Sequence, residues 1–237
     1  MMTLPYLIGC VLFAFSIFLP LKMLYSESSR LTGMSSCLDR IEGVFEEKTL
    51  PDNGKKHIPA TSSAPEISFE NVTFAYGEED TVRNVSFTAE KNTMTALVGP
   101  SGGGKTTLAN LLARFWDIKS GSIKVRGVDI RDVPLSELMD KISMVFQRVY
   151  LFQDTVYNNI AMGRPTATRE EVEEAAKKAR CYDFIMNLPQ GFDTVIGEGG
   201  ASLSGGEKQR ISIARCILKD APIVILDEAT ASVDLDN

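Results

Sequence analysis

The chain has 237 residues, 44% hydrophobic and 24% charged, a balance that fits a folded chain and excludes disorder, collagen-like repeats and low complexity. Its 25 Lys+Arg against 31 Asp+Glu leave a net charge of −6, which disfavours nucleic acid as a partner because neutralising phosphates takes clustered basic residues. The length suits one domain plus a short extra segment.

No charged residue precedes Lys22, and residues 4–19 (LPYLIGCVLFAFSIFL) are almost wholly apolar. With Leu21 this run is just long enough for a membrane helix, and it lacks the basic start and small-residue cleavage site of a signal peptide. From Leu24 the apolar residues become periodic: Leu24, Leu31, Leu38 and Phe45 recur every seven, as do Met34 and Ile41. Such a stripe marks one helix face, either a coiled-coil seam or an ordinary amphipathic helix. Residues 1–47 therefore read as a membrane helix continuing into water, roughly 70 Å long at 1.5 Å per residue, with a kink near Pro20.

Residues 49–65 contain Pro51, Pro59 and Pro65 among polar residues and read as a linker. His57, the only histidine, lies in it with no ligand-spaced partner and reads as solvated. The cysteines, Cys10, Cys37, Cys181 and Cys216, are widely spaced, so neither a zinc site nor a disulfide framework is expected, and a reduced cytosolic body is.

From Glu66 the pattern is α/β. Residues 67–74 and 82–87 form an early strand pair, Thr93–Val98 a short apolar strand, and 104–115 a helix. Ile142–Phe146 reads as a strand, and 168–187 as a helix opened by a capping box at Thr168–Glu171. A further helix covers 204–219, and Ile223–Leu226 is a β-branched run expected to be buried on both faces. Alternating strands and helices imply a parallel sheet core.

Residues 99–107, GPSGGGKTT, contain G-x-x-x-x-G-K-[ST] between a strand and a helix. Glycines let the backbone wrap phosphates, and the N–H groups of Gly102, Gly103 and Gly104 are expected to point at them from a helix N-terminus. Lys105 would reach the β- and γ-phosphates, and the Thr106 hydroxyl would ligate Mg²⁺. Residues 223–228, IVILDE, place two carboxylates at a strand's C-terminal end, where ligand chemistry sits on parallel sheets. Asp227 suits the metal shell and Glu228 a general base. Residues 203–210, LSGGEKQR, give a capped helix start with two glycines that a cap alone does not require.

GPSGGGKTT, LSGGEKQR and ILDEATASVD in this order resemble the nucleotide-binding domain of ABC transporters, over residues 66–237. The preceding segment, ending LDRIEGVFEE, resembles the last membrane helix of fused membrane–ATPase, exporter-type half-transporters. The resemblance implies a P-loop NTPase fold of the ABC type, with a parallel sheet core, a small antiparallel β subdomain and an α-helical subdomain, preceded by one long N-terminal helix. It implies three segments: 1–48 as the last transmembrane helix and its cytosolic extension, 49–65 as linker, and 66–237 as a nucleotide-binding domain that ends early.

ATP and Mg²⁺ are the implied ligands. Gly99, Ser101 and Thr107 join the phosphate-loop set, Tyr76 matches the aromatic that stacks on adenine, and Gln147 matches the glutamine sensing Mg²⁺ and γ-phosphate. Ser204, Gly205, Gly206 and Asp234 would serve the composite site, and Glu198 would meet the membrane domains' cytosolic helices. Implied partners are a second nucleotide-binding domain, docked head to tail, the transmembrane domains and membrane lipid, with no nucleic acid. The implied location is the inner or plasma membrane, ATPase domain toward the cytoplasm.

Departures from the family pattern are small. Gly103 replaces a usual serine, Glu207 a common glutamine, and Ala231-Ser232 reverses the usual order. The family's switch histidine falls after the last residue, Asn237, which makes a nucleotide-binding fragment without hydrolysis or transport the alternative expectation. The 146–234 motif run is most similar to siderophore-type half-transporters, whose relatives include importers.

Overall fold

The computed structural model describes residues 3–46 and 49–227 and falls into two units, divided between Leu50 and Pro51. The first unit is a single helix, α1 (Leu4–Glu46), with Pro20 inside it. Its N-terminal part has a mean hydropathy of 2.2 over 18 residues, long and apolar enough to cross a membrane. The heptad residues Leu24, Leu31, Leu38 and Phe45 are all exposed.

The second unit opens with a segment tied down at many points. Arg114, only 2% exposed, donates to the Pro51 carbonyl at 2.6 Å and the Ile130 carbonyl at 3.4 Å. Asp52 accepts from the Leu135 N–H, and Lys56 pairs with Asp132 through both its backbone N–H and its ammonium. Glu137 receives the Ile58 N–H and lies 2.7 Å from His57 Nδ1. A Cβ at Gly54 would overlap the Val133 backbone, so only glycine allows this approach. Ile58 is buried, an anchor worth about 1.5–3 kcal/mol. Polar composition hid these contacts because they run mostly to backbone atoms.

β1 (Ile67–Phe74) and β2 (Val82–Ala89) form the expected antiparallel pair. β3 (Ser120–Val125) pairs with β1 and β4 (Val128–Asp129) with β3, giving a sheet ordered β2-β1-β3-β4. Phe69, Val72, Phe74 and Ile123 pack from this sheet onto α2 (Lys105–Leu112), with Leu138 of α3 (Leu135–Lys141) in the same cluster.

β5 (Ile142–Val145) and β6 (Ile223–Leu226) pair in parallel, as the alternation of elements predicts. Two expectations for this layer change. Among the described residues Thr93–Val98 has no strand partner, and Met94 and Val98 are exposed. The segment lies across a cavity of about 640 Å³ from β6, also lined by Leu108 and Leu112 of α2. Among the described residues β6 is therefore paired on one edge only, and Val224 and Leu226 are 52% and 59% exposed rather than buried on both faces. Strand propensity marks a segment that can pair; the ladder needs a neighbour.

The helical subdomain comprises α4 (Val156–Ala161), α5 (Arg169–Lys178), α6 (Tyr182–Met186) and α7 (Gly205–Lys219) around a second apolar cluster that includes Val156, Val172, Ile185 and Ile211. The single helix expected over 168–187 is two, because Arg180 takes a left-handed φ of 56° after α5 ends. The capping box at Thr168 and Glu171 is present.

Candidate nucleotide site

The loop 99–104 leads directly into α2, whose N-cap is Gly104. Gly104 has φ 83° and no side chain caps this helix start. A Cβ there would meet Val82 Cγ2 at 3.2 Å and Thr81 O at 3.5 Å, so the loop rests on the start of β2. Gly102 is likewise left-handed, at φ 77°. Gly103 differs from expectation: its N–H donates to the Pro100 carbonyl at 3.1 Å, closing a tight turn instead of pointing outward. The Lys105 ammonium donates to the Gly99 and Pro100 carbonyls, both at 2.9 Å, so its charge lies against the loop.

Thr106 follows in the first turn of α2, and its hydroxyl donates to Asp227 Oδ1 at 3.0 Å. Asp227 is held there because its N–H donates to the Val145 carbonyl, extending the β5–β6 ladder by one residue. Gln147 is exposed two residues beyond Val145, at the same C-terminal edge of the pair. Beside it, Phe146 stacks on Phe115, which follows α2 in the chain, with centroids 6.2 Å apart. Thr106, Asp227 and the Gln147 amide offer oxygen donors, the set a hard divalent cation prefers, so the residues present fit Mg²⁺. Gly99 and Ser101 lie in the exposed loop, and Thr107 is buried beneath it.

Tyr76 is 51% exposed just past the end of β1, whose Phe74 pairs with Val82, the residue under Gly104. Strand pairing thus brings the predicted adenine platform to the phosphate loop. Ser204, Gly205 and Gly206 start α7 elsewhere in the unit. Ser204 Oγ accepts the Glu207 N–H at 3.3 Å, and Glu207 Oε2 accepts the Ser204 N–H at 2.7 Å. Among the described residues no hydrogen bond joins this start to residues 99–107. Glu228 and Asp234 lie outside the described residues.

Sequence reasoning missed one linkage. Arg215 of α7 donates to the Tyr150 carbonyl at 3.1 Å, to Asn159 Oδ1 at 2.6 Å and to the Asn159 carbonyl. Asn159, fully buried, also accepts from the Phe152 N–H. The loop after Gln147 is thereby fastened to the helix that begins at Ser204. Burial lowers the Arg215 pKa from its usual range. Glu198, in a 3₁₀ turn, accepts from the Tyr150 hydroxyl at 3.3 Å. That hydroxyl is pushed above the ordinary phenol range, first by desolvation and then by the Glu198 charge. No sequence pattern announces contacts to loop carbonyls. Cys181 is buried and its thiol is pushed up to about 12 by that burial, which makes it a packing residue rather than a nucleophile.

A glycine-rich loop closing on a helix, with a threonine hydroxyl bonded to an aspartate at the end of a parallel strand, defines a P-loop nucleotide-binding domain. Residues 82–231 match the family model described as ABC transporter, and the chain belongs to that family, carrying its ATPase domain. It is 52% identical over 181 residues to an ATP-dependent lipid A-core flippase from Desulfotalea psychrophila, covering 75% of this chain and 32% of the relative. A relative of the same name from Syntrophus aciditrophicus is 46% identical over 229 residues, covering 94% of this chain and 38% of the relative. The chain therefore spans roughly a third of the length of these relatives. Among solved structures, a bacterial Atm1-family ABC exporter with ATP bound superposes with a TM-score of 0.77 at 40% identity, covering 86% of this chain and 36% of that one. The mixed architecture, a long N-terminal helix before an ABC ATPase fold, agrees with that neighbour.

Proposed function

We propose that this chain is the ATP-binding and ATP-hydrolysing segment of an exporter-type ABC half-transporter, coupling hydrolysis to movement of a substrate across a membrane. The observation that carries this reading is the Thr106–Asp227 hydrogen bond, which joins the phosphate-loop helix to the acidic strand end. On this reading 1–48 are the last membrane helix and its extension, 49–65 the connection, and 66–237 the nucleotide-binding domain. The similarity to lipid A-core flippases favours a lipid as cargo.

The uncapped α2 start and Lys105 receive the β- and γ-phosphates of ATP, where positive partial charge meets negative ligand charge. Tyr76 stacks on the base, and Gly99, Ser101, Gly102, Gly103 and Thr107 shape the loop. Thr106, Gln147 and Asp227 hold Mg²⁺, which neutralises charge developing on the phosphate oxygens when bound. Glu228 orients the attacking water and accepts its proton; the water oxygen bonds to the γ-phosphorus as the bond to the ADP oxygen breaks. Ser204, Gly205, Gly206 and Asp234 serve a second domain's nucleotide, docked head to tail. Among the described residues no hydrogen bond ties Ser204, Gly205 or Gly206 to this protomer's own loop, which is in keeping with that arrangement. Gln147, the 148–160 region and Glu198 carry the state of the site to the transmembrane domains. The ATPase domain faces the cytoplasm.

Replacing Glu228→Gln in the intact protein, reconstituted in lipid, tests the chemistry. MgATP binding is retained and steady-state phosphate release falls by about 100-fold or more, the scale of a lost general base. Unchanged turnover would remove Glu228 from the role.

A further inference from the structure

Two aromatic side chains meet Tyr76 at right angles: Phe74, with centroids 4.8 Å apart and planes at 88°, and Trp116, at 5.3 Å and 90°. Phe74 is buried and belongs to the sheet core, whereas Trp116, the only tryptophan, is 49% exposed in the turn after α2. The half-exposed indole also lies beside Phe74, with centroids 6.3 Å apart and planes tilted by 54°. The turn carrying it is fixed. Asp117 accepts from the buried Arg114, and the Lys119 N–H donates to the Thr73 carbonyl at 3.0 Å. The Lys119 ammonium pairs with Asp80 at 2.9 Å, on the other side of Tyr76 in sequence. Residues 73–80 and 116–119 are therefore laced together around Tyr76.

We propose that Trp116 is a positioning residue for adenine recognition: its ring fixes the Tyr76 ring in orientation and couples it to the phosphate-loop helix. This rests on the reading of Tyr76 as the base platform. Perpendicular contacts pin a tyrosine ring on two sides and leave half its surface open, as its 51% exposure shows. Because Trp116 follows Leu112 by four residues, the distance between base platform and phosphate loop is set by α2 and one short turn. Without the indole, Tyr76 keeps Phe74 and gains rotamers that binding must then remove.

The test is equilibrium binding to the intact protein of two magnesium-complexed probes, ATP and inorganic tripolyphosphate, which lacks the base. Trp116→Ala lowers ATP affinity roughly three- to tenfold, the worth of one aromatic pair, and leaves tripolyphosphate affinity unchanged. Trp116→Phe retains ATP affinity, and the Tyr76→Ala/Trp116→Ala double variant binds ATP no worse than Tyr76→Ala alone. Equal losses for both probes, or losses that add fully in the double variant, overturn the proposal. If Tyr76→Ala selectively weakens ATP while Trp116→Ala does not, the positioning role alone fails. If Tyr76→Ala leaves the ratio of the two affinities unchanged, the adenine platform itself is wrong, and the role of Trp116 with it.

Discussion

Two glycine-flanked helix starts lie in the same unit and end up in opposite electrostatic conditions. The start of α7 is satisfied from within: Ser204 and Glu207 cap each other's backbone N–H groups, and a carboxylate sits on the positive end of the helix. The start of α2 has a left-handed glycine where a capping side chain would be and no acidic residue in its first turn. Lys105 opens its first turn with the ammonium on the Gly99 and Pro100 carbonyls, and the Asp227 carboxylate meets that turn through the Thr106 hydroxyl. Orphan N–H groups plus a cation favour an anionic ligand, whereas a self-capped start has no such need within its own protomer. Glycine enrichment alone therefore does not identify a phosphate site; the deciding feature is what occupies the N-cap.

The largest expected effect comes from removing the cation at α2. Lys105→Ala lowers MgATP affinity by roughly 10- to 100-fold, the range for a charge-assisted hydrogen bond, read by titration calorimetry. A loss under twofold would erase the difference between the two starts. Next is Gly104→Ala, which forces a Cβ into a left-handed residue and against Val82. About 1–2 kcal/mol of strain is expected, appearing as lower denaturation stability together with weaker nucleotide binding. The smallest effect is at α7. Ser204→Ala costs about 1 kcal/mol of stability through the lost cap and weakens MgATP affinity far less than Lys105→Ala does. Measured at a concentration that keeps protomers apart, a Ser204 effect on affinity as large as that of Lys105 would mean that both starts serve one nucleotide within a single protomer.

Much of this contrast could be read from residues 99–107 and 203–210, because both motifs are local and their spacing dictates a loop–helix geometry. The Ser204–Glu207 box, the Thr168–Glu171 box and the β1–β2 pair follow from short-range rules and match the structure. What escaped depends on tertiary partners. Among the described residues, segment 93–98 has the composition of a strand but no ladder and β6 is open on one edge, while Arg180 splits a helix that periodicity alone would continue. The docking of 51–60 escaped for a related reason: Arg114, Asp52 and Glu137 reach across 63 to 83 residues of sequence, mostly to backbone groups. Trp116 carried no motif at all; only its angle to Tyr76 gives it meaning.

Amide hydrogen exchange on the intact protein, with and without MgATP and at a concentration that keeps protomers apart, tests the central claim most directly. Ligand that binds the native state suppresses the local opening through which amides exchange. The account predicts slowed exchange in the peptide covering Gly102–Thr107 and no change in the one covering Gly205–Lys208. Protection at Gly205–Lys208 with none at Gly102–Thr107 would contradict it.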